Sequence, residues 1–347
     1  MALQTSESLL RVARSNHGLL IERNGKYRLA RNEFTWLNLV CAPSTHERTI
    51  QAYETGTTVP CGYIPRMLNE CDAGLIDLAN TVVCAFGVTF LKSEVARDDE
   101  FKSGGNVAAS GSAVASAARQ PDTPYTRVGP AGNPAELFLK GVRPHHLFKS
   151  GQAAGIRSIE TLPALIEGNV VEMPPWNVHE AEVATMVNPL GQPVAFGPAK
   201  DMSDRRDEGI SPLLLLKAKI FWHGAGFGNW FTVPENPLAF WKTISLRSWV
   251  ERDGKKVWPI PSEPDTMSTL QCRRPLEELC QDVDDAGFVG ENQPAVFMSG
   301  TGIVPAPGDT FSLLPNDRIF YESDQIGDCN STVQLIPRPR RRLVVTA

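Results

Sequence analysis

The segment that most constrains the fold of this chain is WNVHEAEVATMVNPLGQPVAFGPAKD, residues 176–201. Its first half has the residue types of a β-strand, and its second half returns to the same kind of composition. Between the two halves, the motif NPLG supplies Pro and Gly where a tight turn needs them. The segment therefore predicts an antiparallel hairpin folded about Leu190.

The predicted hairpin brings acidic side chains together. Side chains at positions i and i+2 of a strand point to the same face, so Glu180 and Glu182 lie side by side. Folding about the turn places Lys200 or Asp201 level with Glu180. Directly opposed side chains lie about 5 Å apart at Cβ, so Asp201 can complete a cluster of three carboxylates.

Three converging carboxylates repel one another unless a cation lies between them. Oxygen ligands without Cys or His suit a hard metal ion, with Mg²⁺ first and Mn²⁺ or Ca²⁺ as alternatives. Three protein ligands also leave coordination positions for water or substrate. The alternative at this point is a solvated strand face that carries an ordinary Glu-x-Glu pair.

The composition of the 347 residues is that of a soluble globular protein, with 42% hydrophobic and 21% charged residues. A net charge of −5 argues against nucleic acid as the main partner. We find neither a membrane span nor a secretory signal pattern, so we expect a cytoplasmic protein. The seven cysteines are scattered without C-x-x-C spacing, which favours free thiols over a zinc site or disulfides.

The 28 glycines and 27 prolines separate many short apolar runs, which predicts a strand-rich chain. An Asn-Gly pair within residues 18–30 predicts a β-hairpin, helical spacing predicts a helix in 64–80, and 80–90 is typical of a strand. The Ala/Gly/Ser-rich segment 102–124 is predicted to be a mobile loop, either a lid or a tolerated insertion. The arginine-rich end, RPRRRLVVTA, is predicted to be a solvated tail.

Four stretches together resemble the fumarylacetoacetate hydrolase superfamily. They are GVTFLKSEVAR (87–97), AELFLK (135–140), the segment 176–221, and 297–333. Their order and spacing are closest to the branch that contains 2-keto-3-deoxy-D-arabinonate dehydratase. The resemblance implies an α+β, mostly β fold with a mixed β-sandwich roll, and it implies a homodimer.

The same resemblance divides the chain and assigns site residues. It implies a smaller N-terminal α/β domain over residues 1–80 and a catalytic domain over 81–347. It implies Mg²⁺ held by Glu180, Glu182 and Asp201. The remaining assignments are Lys219 and Glu136 as catalytic residues, and Arg205, Lys140, Thr301, Glu208 and Ser93 as substrate-binding residues.

The superfamily acts on 2-keto acids or their vinylogues, either by hydrolysing a C–C bond or by dehydration. Its hydrolases carry an activating histidine where this chain has Ser93, and the acid that follows is Ala96 here. The missing pair favours a Mg²⁺-dependent dehydratase of a 2-keto-3-deoxy sugar acid or similar small 2-keto acid. In that interpretation Lys219 is the base or stabilises an enolate, and Glu136 is an acid. A C–C hydrolase or decarboxylase, and a non-catalytic ligand-binding protein, are the alternatives.

Several positions differ from the pattern of that branch. Lys200 replaces an Asn and is predicted to place a second cation near the carboxylates, where it could partly replace the metal. Lys217 is predicted to lie close to Lys219. Because these differences surround the expected site, a larger 2-keto acid is also a candidate substrate. His179 should point to the opposite strand face, so we interpret it as structural.

Overall fold

A computed structural model describes residues 9–70, 76, 80–90, 92–93, 136–166, 169–210, 214–259, 266–303 and 311–336. The segment 102–124, predicted to be a mobile loop, lies outside the described residues, as does the arginine-rich tail from 338 onward.

The strands of the described residues, in chain order, are β1 (Leu10–Ser15), β2 (Gly18–Arg23), β3 (Lys26–Leu29), β4 (Thr57–Val59), β5 (Val82–Gly87), β6 (Glu136–Gly141), β7 (Leu147–Lys149), β8 (Ala153–Ile156), β9 (Leu162–Ile166), β10 (Asn169–Met173), β11 (Asn177–Val187), β12 (Pro193–Asp204), β13 (Ala225–Phe227), β14 (Phe231–Thr232), β15 (Ser245–Arg252), β16 (Lys255–Trp258), β17 (Thr266–Ser268), β18 (Ala295–Met298), β19 (Arg318–Glu322) and β20 (Ser331–Leu335). The α-helices are α1 (Trp36–Val40), α2 (Thr45–Thr55), α3 (Ile64–Asn69), α4 (Arg205–Ile210), α5 (Leu215–Lys219), α6 (Pro237–Trp241) and α7 (Leu276–Asp285). Short 3₁₀ turns cover Cys61–Tyr63, Pro144–His146 and Thr269–Gln271.

Two mixed sheets dominate the fold. The larger has the strand order β4-β3-β2-β1-β14-β12-β11-β18-β5-β6, with β13 joining β12 to β7. The smaller has the order β16-β15-β19-β20-β8, with β17 on β15. Parallel pairs, such as β18 with β5 and β20 with β8, occur beside antiparallel ones. The predicted α+β, mostly β class with mixed sheets is confirmed.

The main hydrophobic core joins the two sheets. Side chains of β11 and β12, including Val183 and Phe196, are buried in one cluster with Val250 and Tyr321 of the smaller sheet. A second core covers the other face of the larger sheet, where Met186 packs with residues of α1 and α2. The strands β11 and β12 are therefore covered on both faces, which explains their near-continuous burial.

The N-terminal strands show how local signals and long-range pairing combine. The predicted hairpin is confirmed as β2 and β3, in which Arg23 pairs with Lys26 across the loop Asn24-Gly25. Both loop residues have positive φ, 55° and 72°, as a type I′ turn requires. These strands then extend the larger sheet, because β1 pairs with β14. A domain boundary at residue 80 stays a prediction.

The remaining elements agree with the sequence patterns where the structure describes them. The strand predicted in 80–90 is β5, and α3 forms the first part of the helix predicted in 64–80. The six described cysteines are free thiols. No helix among the described residues has both the length and the apolar character needed to cross a membrane.

Candidate active site

The hairpin of β11 and β12 brings the three predicted carboxylates together. Its register pairs Glu180 with Asp201 and Glu182 with Ala199. The three side chains lie on one face, and a carboxylate oxygen from each lies within 4.8 Å of the others. Glu182 and Asp201 are fully buried, and Glu180 is 8% exposed. The predicted convergence is confirmed, and the alternative of a solvated strand face is wrong.

One oxygen of this cluster has no protein partner. Glu182 accepts a hydrogen bond at Oε2 from the backbone N–H of Gly300, 2.7 Å away. Its Oε1 is buried and accepts no hydrogen bond from any described residue. Burial, with the charges of Asp201 and Glu180, raises the pKa of Glu182 well above its ordinary value. A buried carboxyl oxygen that lacks a protein partner, beside two further carboxylates, fits a hard divalent cation.

Burial and neighbouring charges have opposing effects on the pKa of Glu180. Burial raises its pKa, the ammonium of Lys219 lowers it, and Asp201 raises it again, which gives a pKa of about 7. Its two oxygens accept from different cations. Arg205 Nη2 lies 2.9 Å from Oε1, and Lys219 Nζ lies 2.8 Å from Oε2.

Lys219 is the last residue of α5, and its ammonium lies inside the acidic cluster. Besides Glu180, it contacts Asp201 Oδ2 at 3.2 Å and donates to Ser203 Oγ at 2.6 Å. Burial lowers the pKa of Lys219, but Asp201 and Glu180 raise it by more, so the net pKa is above its ordinary value. The side chain is therefore cationic in this arrangement. Ser203 was not predicted, although it shares the face of Asp201 two residues earlier.

Lys140 lies behind Asp201. Its ammonium forms an ion pair with Asp201 Oδ1, donates to the carbonyl of Met202 at 2.9 Å, and donates to the carbonyl of Lys219. These partners use all three ammonium donors of a fully buried side chain. In this arrangement Lys140 orients Asp201 and the end of α5, and its predicted contact with substrate stays a prediction.

The helix α4 directly follows β12 and presents two faces. Arg205 and Glu208 point toward the acidic cluster, and Glu208 Oε2 lies 4.0 Å from Lys219 Nζ. On the other face, Asp207 pairs with the half-exposed Lys217, whose Nζ lies 3.0 Å from Asp207 Oδ1. The expectation that Lys217 stands beside Lys219 is therefore wrong, because the Lys217 ammonium pairs with Asp207 on the other face of α4.

A pocket opens next to the cluster. Its ionic side is formed by Glu180, Arg205 and Lys219, and its hydroxyl groups come from Ser93 and Thr301. Phe86, Val88 and Phe138 also line it.

The predicted polar residues around the pocket are anchored to the backbone. Thr301 Oγ1 donates to the carbonyl of Ala181 at 2.8 Å, and Ser93 Oγ donates to the carbonyl of Phe90 at 2.8 Å. Glu136 begins β6, where it pairs with Gly87.

The opposite face of β11 and β12 explains two further predictions. Lys200 is fully buried there and donates to the carbonyl of Ile319 at 3.0 Å and to Ser331 Oγ at 2.9 Å. The expectation of a second cation near the carboxylates is wrong, because strand alternation turns Lys200 away from Asp201. His179 lies on this face too, with Nε2 2.9 Å from Ser248 Oγ, as its structural interpretation requires.

No family model matches the chain. A curated relative, described as a probable 2-keto-3-deoxyxylonate dehydratase of Haloferax volcanii, is 26% identical over 254 residues, covering 73% of this chain and 72% of the relative. The apo structure of 2-keto-3-deoxy-D-arabinonate dehydratase matches with a TM-score of 0.64 and 17% identity, covering 95% of this chain and 100% of that one. The chain has the fold of the fumarylacetoacetate hydrolase superfamily. The predicted resemblance to this superfamily, with sugar-acid dehydratases among its similar members, is confirmed.

Two further solved structures show the range of this superfamily fold. The same dehydratase complexed with magnesium and 2,5-dioxopentanoate gives a TM-score of 0.62 at 17% identity, covering 95% of this chain and 100% of that one. Maleylpyruvate hydrolase from Sphingobium sp. SYK-6 gives a TM-score of 0.54 at 14% identity, covering 94% of this chain and 100% of that one. At these identities the likeness concerns the fold alone, so the choice of reaction depends on the site.

Proposed function

We propose that this chain is a Mg²⁺-dependent dehydratase, a lyase that acts on a 2-keto-3-deoxy sugar acid or a similar small 2-keto acid. The observation that carries the proposal is the buried cluster of Glu180, Glu182 and Asp201, with its unsatisfied Glu182 oxygen, at the edge of the pocket. The names of the relatives support it, because one is a probable 2-keto-3-deoxyxylonate dehydratase and another was solved with magnesium.

The three carboxylates would hold the metal ion. When bound, Mg²⁺ supplies Lewis-acid polarisation of the keto and carboxylate oxygens of a 2-keto acid, which acidifies the C–H bond at C3. Mn²⁺ and Ca²⁺ are alternative occupants of the same oxygen ligands. Dehydration then removes the proton from C3 and the hydroxyl from C4 as one water molecule and leaves a C3–C4 double bond.

The predicted site residues in and around the pocket are proposed to have the remaining roles. Lys219 is held cationic by the carboxylates, which favours its role in stabilising negative charge on the substrate over the role of base. Arg205 and Thr301 are proposed to orient the substrate carboxylate, and Ser93 and Glu208 to contact its hydroxyl groups. Glu136 is proposed as the acid that assists departure of the C4 hydroxyl.

The site favours dehydration over C–C hydrolysis. Hydrolases of the superfamily use a histidine to activate water, and the corresponding position here is Ser93, whose hydroxyl donates a hydrogen bond to the carbonyl of Phe90. Among the described residues that line the pocket, none is a histidine. A purely ligand-binding protein is disfavoured as well, because Lys200, which was predicted to be able to replace the metal in part, lies on the other face of the sheet.

The first experiment is calorimetric titration of the wild-type protein and of Glu182→Ala with Mg²⁺ and Mn²⁺. We expect one bound ion in the wild type and none in the variant. The loaded protein is then incubated with 2-keto-3-deoxypentonates and with acylpyruvates, and NMR distinguishes water loss from bond cleavage. Absence of metal binding, even with pyruvate or oxalate as co-ligand, would refute the metal-dependent mechanism. Cleavage of acylpyruvates would show that the protein is a hydrolase and not a dehydratase.

Two properties stay predictions at this point. The homodimer is implied by the resemblance to the superfamily, and the cytoplasmic location is the expectation from the sequence analysis. Sedimentation measurements on the full chain test the homodimer.

A further inference from the structure

A strained residue stands in the wall of the pocket. Val88 has a φ of 58°, in the left-handed region, and it lines the pocket directly after β5 ends at Gly87. Left-handed conformations are unfavourable for L-residues in general and most of all for β-branched ones. Such strain persists only where the surrounding structure determines it, and it is concentrated at functional sites.

The residues on both sides of Val88 are fixed by hydrogen bonds. Before it, Gly87 pairs with Glu136 of β6. After it, Thr89 Oγ1 donates to the carbonyl of Ser299 at 2.6 Å, and the carbonyl of Thr89 accepts from the N–H of Arg273 at 2.9 Å. Because the chain must bend between these two anchors, the bend falls on Val88.

The same bend is tied to the candidate metal site. A Cβ atom at Gly300 would lie 2.2 Å from Thr89 Oγ1, so only glycine allows the two segments to approach. The backbone N–H of Gly300 in turn donates to Glu182. The position of Val88 is therefore fixed relative to the carboxylates, as a residue that selects substrates would need to be.

The chemistry of the pocket indicates which part of a substrate Val88 would contact. The charged groups Glu180, Arg205 and Lys219 suit the carboxylate and keto oxygens of a 2-keto acid. Val88 and the ring of Phe138 offer apolar surface, which suits the carbon chain beyond C3.

We infer that Val88 is a specificity-determining residue, and that its side chain, fixed in the left-handed conformation, contacts the part of a 2-keto acid beyond C3. The inference rests on the proposed function. It assigns affinity for chains of five carbons or more to the isopropyl group of Val88, while the charged side of the pocket alone binds pyruvate.

The test measures binding of two unreactive 2-keto acids, pyruvate and 2-oxopentanoate, by calorimetry at saturating Mg²⁺. We expect Val88→Ala and Val88→Gly to weaken the binding of 2-oxopentanoate about tenfold, which is the value for two lost methyl contacts. The affinity for pyruvate should change by less than about twofold. Equal losses for both acids, or no loss for either, would overturn the inference. A wild type that binds neither acid would refute the proposed function itself, and this inference with it.

A second measurement, thermal unfolding in a metal chelator, tests the strain without any ligand. Glycine adopts positive φ freely, so Val88→Gly should raise the melting temperature by about 2 °C despite losing a side chain. The matched control is Asp253→Gly, at φ 51° in the β15–β16 loop, where aspartate already tolerates the conformation and a smaller rise is expected. A lower melting temperature for Val88→Gly than for Val88→Ala would show that the bend stores no strain and would remove the structural basis of the inference.

Discussion

Replacement of Glu182 by glutamine should stabilise the metal-free protein and remove its response to Mg²⁺. Glutamine is nearly isosteric, and its side-chain carbonyl can still accept from the N–H of Gly300. When Glu182 is ionised, its charge lies in a cluster whose oxygens lie within 4.8 Å of one another, and the substitution removes that charge. Two unit charges at that separation repel by about 3 kcal/mol at an effective dielectric constant of about 20.

The size of this gain depends on pH, and its sign follows from the pKa. Burial, with Asp201 and Glu180, raises the pKa of Glu182 in the folded state well above its unfolded value of about 4.3. Between those two values the folded state keeps a proton that the unfolded state has released, so wild-type stability falls as pH rises, by about 1.4 kcal/mol per pH unit. Glu182→Gln does not undergo this loss. Its free energy of unfolding should therefore exceed that of the wild type by about 2–3 kcal/mol near neutral pH, and the difference should shrink toward pH 5.

Magnesium should cancel most of this difference in stability. A cation that binds only the folded state at 100 times its dissociation constant adds about 2.7 kcal/mol to stability. The wild type should gain this amount, whereas Glu182→Gln, with one anionic ligand fewer, should gain little. The matched control is His179→Gln on the opposite face of the same strand, which should keep the full Mg²⁺ response.

The assay is urea unfolding of the three proteins at pH 5, 6 and 7.5, in chelator and in Mg²⁺. The reasoning fails if Glu182→Gln is less stable than the wild type in chelator at pH 7.5. It also fails if the variant gains as much stability from Mg²⁺ as the wild type does.

Three further predictions concern neighbouring residues. Burial lowers the pKa of His179 to about 3, below an unfolded value of about 6.5, so folding stability should fall by about 2 kcal/mol between pH 6.5 and pH 5. Urea unfolding of His179→Gln should show that this loss of stability at acid pH disappears. Lys219→Met removes the cation between two buried carboxylates and should cost about 3–5 kcal/mol in chelator by chemical denaturation, with part of the loss restored by Mg²⁺. Gly300→Ala places a Cβ 2.2 Å from Thr89 Oγ1 at a φ of 77°, so it should cost more than about 2 kcal/mol and weaken Mg²⁺ binding in calorimetry, whereas an unchanged affinity would show that its N–H does not orient Glu182.

The carboxylate positions were predictable because they depend on local rules. Strand alternation and one turn signal place Glu180 opposite Asp201, and both rules operate within a single hairpin. By the same alternation Lys200, one residue before Asp201, points to the opposite face of the strand. The prediction that Lys200 lies near the metal site was therefore inconsistent with the alternation that located the carboxylates. The predicted hairpin in residues 18–30 was likewise confirmed from its own turn residues.

The long-range contacts could not be read from the sequence in the same way. The N–H donor for Glu182 comes from Gly300, 118 residues along the chain, and the ion pair between Lys140 and Asp201 joins two strands that are not neighbours in the sheet. Pairing of β1 with β14 also depends on the fold of the whole chain. Each of these contacts is set by the packing of the sheets, for which a short pattern of residues carries no signal.

Burial, together with the charges collected around the candidate site, explains why its groups have such displaced pKa values. The described residues contribute four carboxylates and three cations within one contiguous set of contacts: Glu180, Glu182, Asp201 and Glu208, against Lys140, Lys219 and Arg205. At full ionisation the set carries one excess negative charge in a buried region, and the protein relieves it by raising the pKa of Glu182. In the proposed function a divalent cation would turn this excess into one positive charge, and the single carboxylate of a 2-keto sugar acid would neutralise it. A dicarboxylate substrate would leave the same set negative, so the charge balance favours a monoanionic substrate.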